Sequence, residues 1–128
     1  MPSAPDIIAE AVERALRSVV GKGNAGPAIL RPCADPKFGD YQANGIMAVA
    51  KRLGQNPRAL AEKVITKLKL ADVSEPPTVA GAGFINFKLK PEFVARQITA
   101  AAKDERLGVP VAARPKTAVI DFSSPNVA

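Results

Sequence analysis

The sequence predicts an α+β domain in which a small sheet, including a hairpin, packs against about four helices. Three observations carry that prediction. Four stretches repeat apolar residues at helical spacing. Between them lie short alternating runs bounded by Gly and Pro. A stretch of small residues and proline, Gly108–Pro115, then separates everything before it from a short apolar run, Thr117-Ala118-Val119-Ile120. The organisation expected is a domain over 1–107, a linker over 108–116, and a second unit beginning at 117 that the chain enters only as far as 128. With 128 residues, 47% of them hydrophobic, there is material for one ordinary core.

The first helix is expected over residues 6–20, capped by Asp6, with Ile8, Val12, Ala15, Leu16 and Val19 along one face. Gly21–Gly26 ends it. Pro27–Pro32 is a short strand candidate whose prolines point to an edge position. A second helix is expected from an Asp40 cap to Leu53, closed by Gly54. Asn56-Pro57 reads as cap and first residue of a third, reaching Leu70. Thr78–Ala80 and Phe84–Leu89 are expected to pair as a hairpin around Gly81-Ala82-Gly83, with Ile85, Phe87 and Leu89 sharing one face. Pro91 opens a last helix through Lys103.

Composition excludes several classes of function. The chain has no histidine, the commonest general base and metal ligand, and its lone Cys33 cannot make a zinc site. No metal site and no self-contained catalysis are therefore expected. The single cysteine also precludes an internal disulfide and fits a reducing cytoplasm. No apolar run approaches the roughly 20 residues that cross a bilayer, and the N-terminus lacks the form of a signal peptide, so no membrane partner is expected.

The net charge of +6 is unevenly placed. Residues 41–70 carry Lys51, Arg52, Arg58, Lys63, Lys67 and Lys69 against Glu62 alone. A local excess of that kind suits a polyanion such as nucleic acid, and equally suits a helix kept soluble by lysines.

On a helical wheel the predicted second helix has two faces. Ile46, Val49, Ala50 and Leu53 point inward, while Tyr41, Asn44, Gly45, Ala48 and Arg52 share the other side. Glycine inside a helix costs about 1 kcal/mol relative to alanine, so a close neighbour is expected at Gly45. An unpaired base fits: it could stack on Tyr41, hydrogen-bond Asn44 and lie over Gly45 and Ala48, with Arg52 and Lys51 holding phosphate. A second helix packing against the small residues fits as well. Phe38-Gly39 reads as a packing turn, and Gln42 serves structure or ligand. At the other end of the chain, Asp121-Phe122-Ser123-Ser124-Pro125-Asn126 follows the apolar run as the exit of a buried strand into a polar turn, where open α/β sheets bind ligands.

Three of these segments together carry a resemblance. Phe38-Gly39-Asp40-Tyr41-Gln42-Ala43-Asn44-Gly45 with Met47–Leu53 and Asn56-Pro57-Arg58, then Val79–Phe87, then Asp121–Ala128, resemble in order the N-terminal domain of bacterial arginyl-tRNA synthetase. The resemblance runs along the whole chain. It implies a domain that docks on the tRNA elbow and reads an unpaired D-loop base, with Tyr41 stacking or hydrogen-bonding, Asn44 on the base edge and Gln42 assisting. It implies that 117–128 begins a Rossmann-type class I catalytic domain, cut before its His-x-Gly-His signature. Ser123, Ser124 and Asn126 would line the arginine and ATP pocket there, with Asp121 facing the guanidinium. The full-length enzyme would be a cytoplasmic monomer using arginine, tRNA and ATP (with Mg), and the 128-residue chain would bind no cofactor and be inactive alone. A free-standing RNA-binding module and a protein-interaction domain are the alternatives to it.

Overall fold

The computed structural model of the chain describes residues 2–103. The expected strand over 117–120 and the polar turn with Asp121, Ser123, Ser124 and Asn126 lie outside the described residues.

Helix α1 spans Ala4–Val20, starting two residues before the expected point, because Ser3 caps it: its hydroxyl accepts from the Asp6 amide. Ile8, Val12, Ala15 and Leu16 are buried on one face, as their spacing requires. Strand β1 is Leu30–Pro32, and a single 3-10 turn covers Pro36–Phe38. Strand β2 is Tyr41–Ala43, followed by helix α2 over Gly45–Leu53. Helix α3 spans Pro57–Lys67, with the Asn56 side chain accepting from Ala59 N at 3.1 Å as the cap. Strands β3, Thr78–Ala80, and β4, Phe84–Phe87, form the expected hairpin, and helix α4 runs Pro91–Lys103.

The four strands form one antiparallel sheet in the order β1-β2-β4-β3, which puts the proline-bearing β1 at an edge. Ala43 pairs with Leu30 and Ile85, and Tyr41 with Pro32 and Phe87. Ala43, Ile85 and Phe87 are fully buried and join Ile8, Leu16, Ile46, Leu60 and Val64 in one core. α1, α2 and α3 supply the helical side of that core, so they cover one face of the sheet. The architecture is the predicted α+β class.

α3 ends at Lys67 short of the expected Leu70, and β1 and β4 are shorter than expected, but one element departs in kind. The segment from Asp40 is not the first turn of a helix; Tyr41–Ala43 is a central strand paired on both sides, and α2 starts only at Gly45. Three residues are too few for a period of two to stand out, and the strong helical spacing of Ile46–Leu53 extends back through them without contradiction. Asp40 therefore caps nothing. Its amide donates to Phe87 O and its carboxylate accepts from Leu89 N, both at 2.8 Å, tying the start of β2 to the end of β4.

Gly45 has a neighbour as close as its helical position demands, but the neighbour belongs to the chain itself. A Cβ there would stand 2.0 Å from Pro27 O, and Gly45 N donates to Ala28 O at 2.8 Å. The crossing segment holds Ile29 at φ 49°, a left-handed conformation that costs a β-branched residue about 1–2 kcal/mol.

Candidate nucleic-acid interface

Strand alternation decides which side chains leave the core. Because Ala43, Ile85 and Phe87 point inward, Gln42 and Asn86 point to the opposite face of the sheet. The register then sets Arg31, Gln42, Asn86 and Thr78 in one row across all four strands. Gln42 Nε2 donates to Asn86 Oδ1 at 3.0 Å, so each amide orients the other. Asn86 is 5% exposed, while Arg31 and Thr78 at the two edges are open to solvent.

Beside this row lies a groove of about 390 Å³, lined by Lys37, Phe38, Thr78, Asn86 and Lys88 and, on its Pro76 side, by one carboxylate, Glu75. The Phe38 ring is 56% exposed, with Lys37 Nζ 5.3 Å from its centroid. Phe38 is thus an exposed aromatic at the rim of a groove and not the packing turn that its place in the sequence suggests. Gly39 explains how it is held there: at φ 132° its Cα lies against Phe87 O, where an added Cβ would stand 2.7 Å away. An aromatic ring, two amides that each donate and accept, and three cations are the groups that stack, read and neutralise an unpaired nucleotide.

The five residues singled out around α2 fall in different places. Tyr41 is half-buried on the core side of β2. Asn44 sits at the N-cap position of α2 in αR conformation, makes no cap hydrogen bond, and its Oδ1 is buried without a partner. Only Gln42 joins the outer row. Lys51 and Arg52 are exposed in the last turn of α2, where Arg52 donates to Asn24 O. Tyr41, Asn44, Gly45 and Arg52 therefore do not form the continuous helical face that a wheel suggests, since the backbone turns from strand to helix between them. Asn86 and Arg31, absent from the sequence-based candidates, are brought in by register; alternation with Ile85 and Phe87 was the available signal for Asn86.

The local basic excess is dispersed by the fold. Arg58 donates to Gly81 O at 3.0 Å and lies 4.0 Å from Glu62, while Lys67 and Lys69 lie near α1. Burial first, and then the Asp40 carboxylate, push the pKa of Cys33 upward, which favours the thiol over the thiolate. Among the described residues no helix is long and apolar enough to cross a membrane, and no group of three or more His, Cys, Asp or Glu is placed to hold a metal.

A family model described as the arginyl tRNA synthetase N terminal domain matches residues 6–89. An arginine–tRNA ligase of a Synechococcus species is 51% identical over 100 residues, covering 78% of this chain and 17% of that protein. The one from Chromobacterium violaceum is 49% identical over 123 residues, covering 95% and 21%. The structure of Thermus thermophilus arginyl-tRNA synthetase superposes with a TM-score of 0.64 at 26% identity, over 87% of this chain and 17% of that one. Arginyl-tRNA synthetase from Plasmodium falciparum has the same fold, with a TM-score of 0.66 at 22% identity over 80% of this chain and 18% of that one. The chain thus spans about a fifth of the length of these relatives.

Proposed function

The chain belongs to the arginyl-tRNA synthetase N-terminal domain family, and from that premise we propose that it is the tRNA-binding module of an ATP-dependent arginine–tRNA ligase, reading an unpaired D-loop base on the outer face of its sheet. The observation that carries this reading is the row Arg31–Gln42–Asn86 beside the exposed ring of Phe38. A base stacked on the free face of Phe38 gains about 1–3 kcal/mol. Gln42 and Asn86 meet its edge, and Arg31, Lys37 and Lys88 meet the backbone on either side. Tyr41, next to Gln42 on β2, and Asn44, whose backbone amide donates to Ile29 O at the strand-to-helix turn, are the further base contacts of this reading, and Lys51 and Arg52 offer phosphate contacts at the end of α2.

The longer protein is proposed to act in the cytoplasm as a monomer, with arginine, ATP (with Mg) and tRNA as substrates. Residues 1–107 are the tRNA-binding domain, 108–116 the linker, and 117–128 the entry to the catalytic domain. There Ser123, Ser124 and Asn126 line the arginine and ATP pocket, and Asp121 pairs with the guanidinium.

A double-mutant cycle in the complete enzyme tests the reading. Gln42→Ala, and separately a substitution of the D-loop base, should each reduce kcat/KM for tRNA by about 1–3 kcal/mol in transition-state terms. Combined, they should cost little more than either alone. Fully additive losses would show that Gln42 does not read that base.

A further inference from the structure

The face of the molecule turned away from the sheet carries a second basic feature. Ala11, Arg14, Ala15 and Ser18 recur at i, i+3, i+4 and i+7, so they form one stripe of α1. Across from them stand Lys67, in the last turn of α3, and Lys69 just beyond it. Together these six residues line a groove of about 430 Å³. Its floor is low because two of the four α1 residues are alanine, and its walls are cationic.

We infer that this groove between α1 and the end of α3 binds the phosphate backbone of RNA, at a place separate from the outer sheet face. Charge complementarity identifies the occupant. Arg14 is paired with Glu10 at 2.7 Å, but neither Lys67 nor Lys69 forms an ion pair among the described residues. A cation at the position of Lys67 complements the negative end of the α3 dipole. Lys69, one residue past the Leu68 C-cap, stands at the same helix end, so two cations gather where a single one would complement the dipole. Ser18 adds a hydroxyl donor to the same wall, and donors of this kind commonly meet phosphate oxygens. Among the described residues no acidic side chain lines the groove.

The location makes the inference specific. α1 and α3 lie on the core side of the sheet, and the Gln42–Asn86 row lies on the other. One short single strand cannot occupy both, whereas a folded RNA presents separate backbone segments to two faces. The inference rests on the proposal that the partner is RNA, but not on base reading at the sheet.

The 128-residue chain can be titrated with a tRNA transcript and with a random-sequence RNA duplex over a range of salt. Lys67→Gln combined with Lys69→Gln should reduce the slope of log affinity against log salt by roughly 1.4–1.8, at 0.7–0.9 for each phosphate no longer neutralised, with both RNAs. Lys67→Arg with Lys69→Arg should retain the wild-type slope. Gln42→Ala should weaken tRNA alone and leave the slope as it was. An unchanged slope in the glutamine pair would overturn the groove and leave the sheet reading standing. If Gln42→Ala changed nothing while the glutamine pair still showed the shallower slope, base reading would fall and the groove would stand. Failure of the wild-type chain to bind either RNA would overturn both.

Discussion

Gly45 has no room for a methyl group. With Pro27 O 2.0 Å from where a Cβ would stand and Ala28 O at 2.8 Å, the helix start and the crossing segment cannot separate without losing the 2.8 Å Gly45–Ala28 hydrogen bond. Gly45→Ala should therefore destabilise the domain by about 3 kcal/mol or more, as overpacking against backbone does. Urea unfolding measures this directly. A fully stable alanine variant with weakened RNA binding would instead restore the view of Gly45 as a surface kept bare for a base. The same crossing explains two other oddities. Ile29 is held at positive φ while its carbonyl accepts from Asn44 N, and Asn44 uses its backbone there while its side-chain oxygen stays unpaired. Local preference is overridden at three adjacent points because one close approach fixes them all.

Among the secondary-structure elements, β2 is the piece on which the sheet depends. It has only three residues, yet both of its edges are paired, and without it β1 would have no partner. So short a strand cannot be stable by itself, and its position relies on the bonds at its ends. Asp40 supplies two of them, to Phe87 O and from Leu89 N. Asp40→Ala keeps the first, which uses the backbone, and removes the second, which uses the side chain. A loss of about 1–3 kcal/mol is expected, with faster amide exchange at Leu89 than in wild type. Loss of stability with Leu89 protection unchanged would place the effect elsewhere, for instance in the 3-10 turn that precedes Asp40. The helices were more legible than β2 for a plain reason. Each shows its apolar period over at least nine residues, and Asn56-Pro57 marks a start through a cap and a fixed φ that need no distant partner.

For the molecule as a unit, the described core closes on itself. Every residue of the buried cluster lies between Ile8 and Phe87, and α1, α3 and the sheet meet within that span. The proposed boundary at 107 then has a measurable consequence: a chain ending there should unfold in one cooperative transition at the same temperature as the 128-residue chain. A substantially lower midpoint for the shorter chain would mean that residues beyond 107 contribute to this core, and the boundary would have to move. The two basic regions also belong to this scale. Lys37 and Lys88 are far apart in sequence and line one groove beside the outer sheet face, with Arg31 at the β1 edge of the same face, whereas Lys67 and Lys69 lie in the densest run of cations and join Arg14 on another. Linear charge density suits a polyanion and a solvated helix alike; the fold determines where the cations stand.

The order of residues alone was enough for the α+β class, three of the four helices, the Asn56 cap, the glycine-bounded hairpin and the edge placement of β1. It also carried the family, through motifs that keep their order along the chain. These are local or short-period properties, written within a few turns of helix or a few residues of strand. Long-range packing was needed to make Tyr41–Ala43 a strand, to set Gly45 against its own chain, and to turn Gln42 outward with Asn86 while Tyr41 looks in. The physical reason is that a residue in a three-residue strand takes its face from register, and register is set by partners more than forty residues away, as Gln42 and Asn86 are.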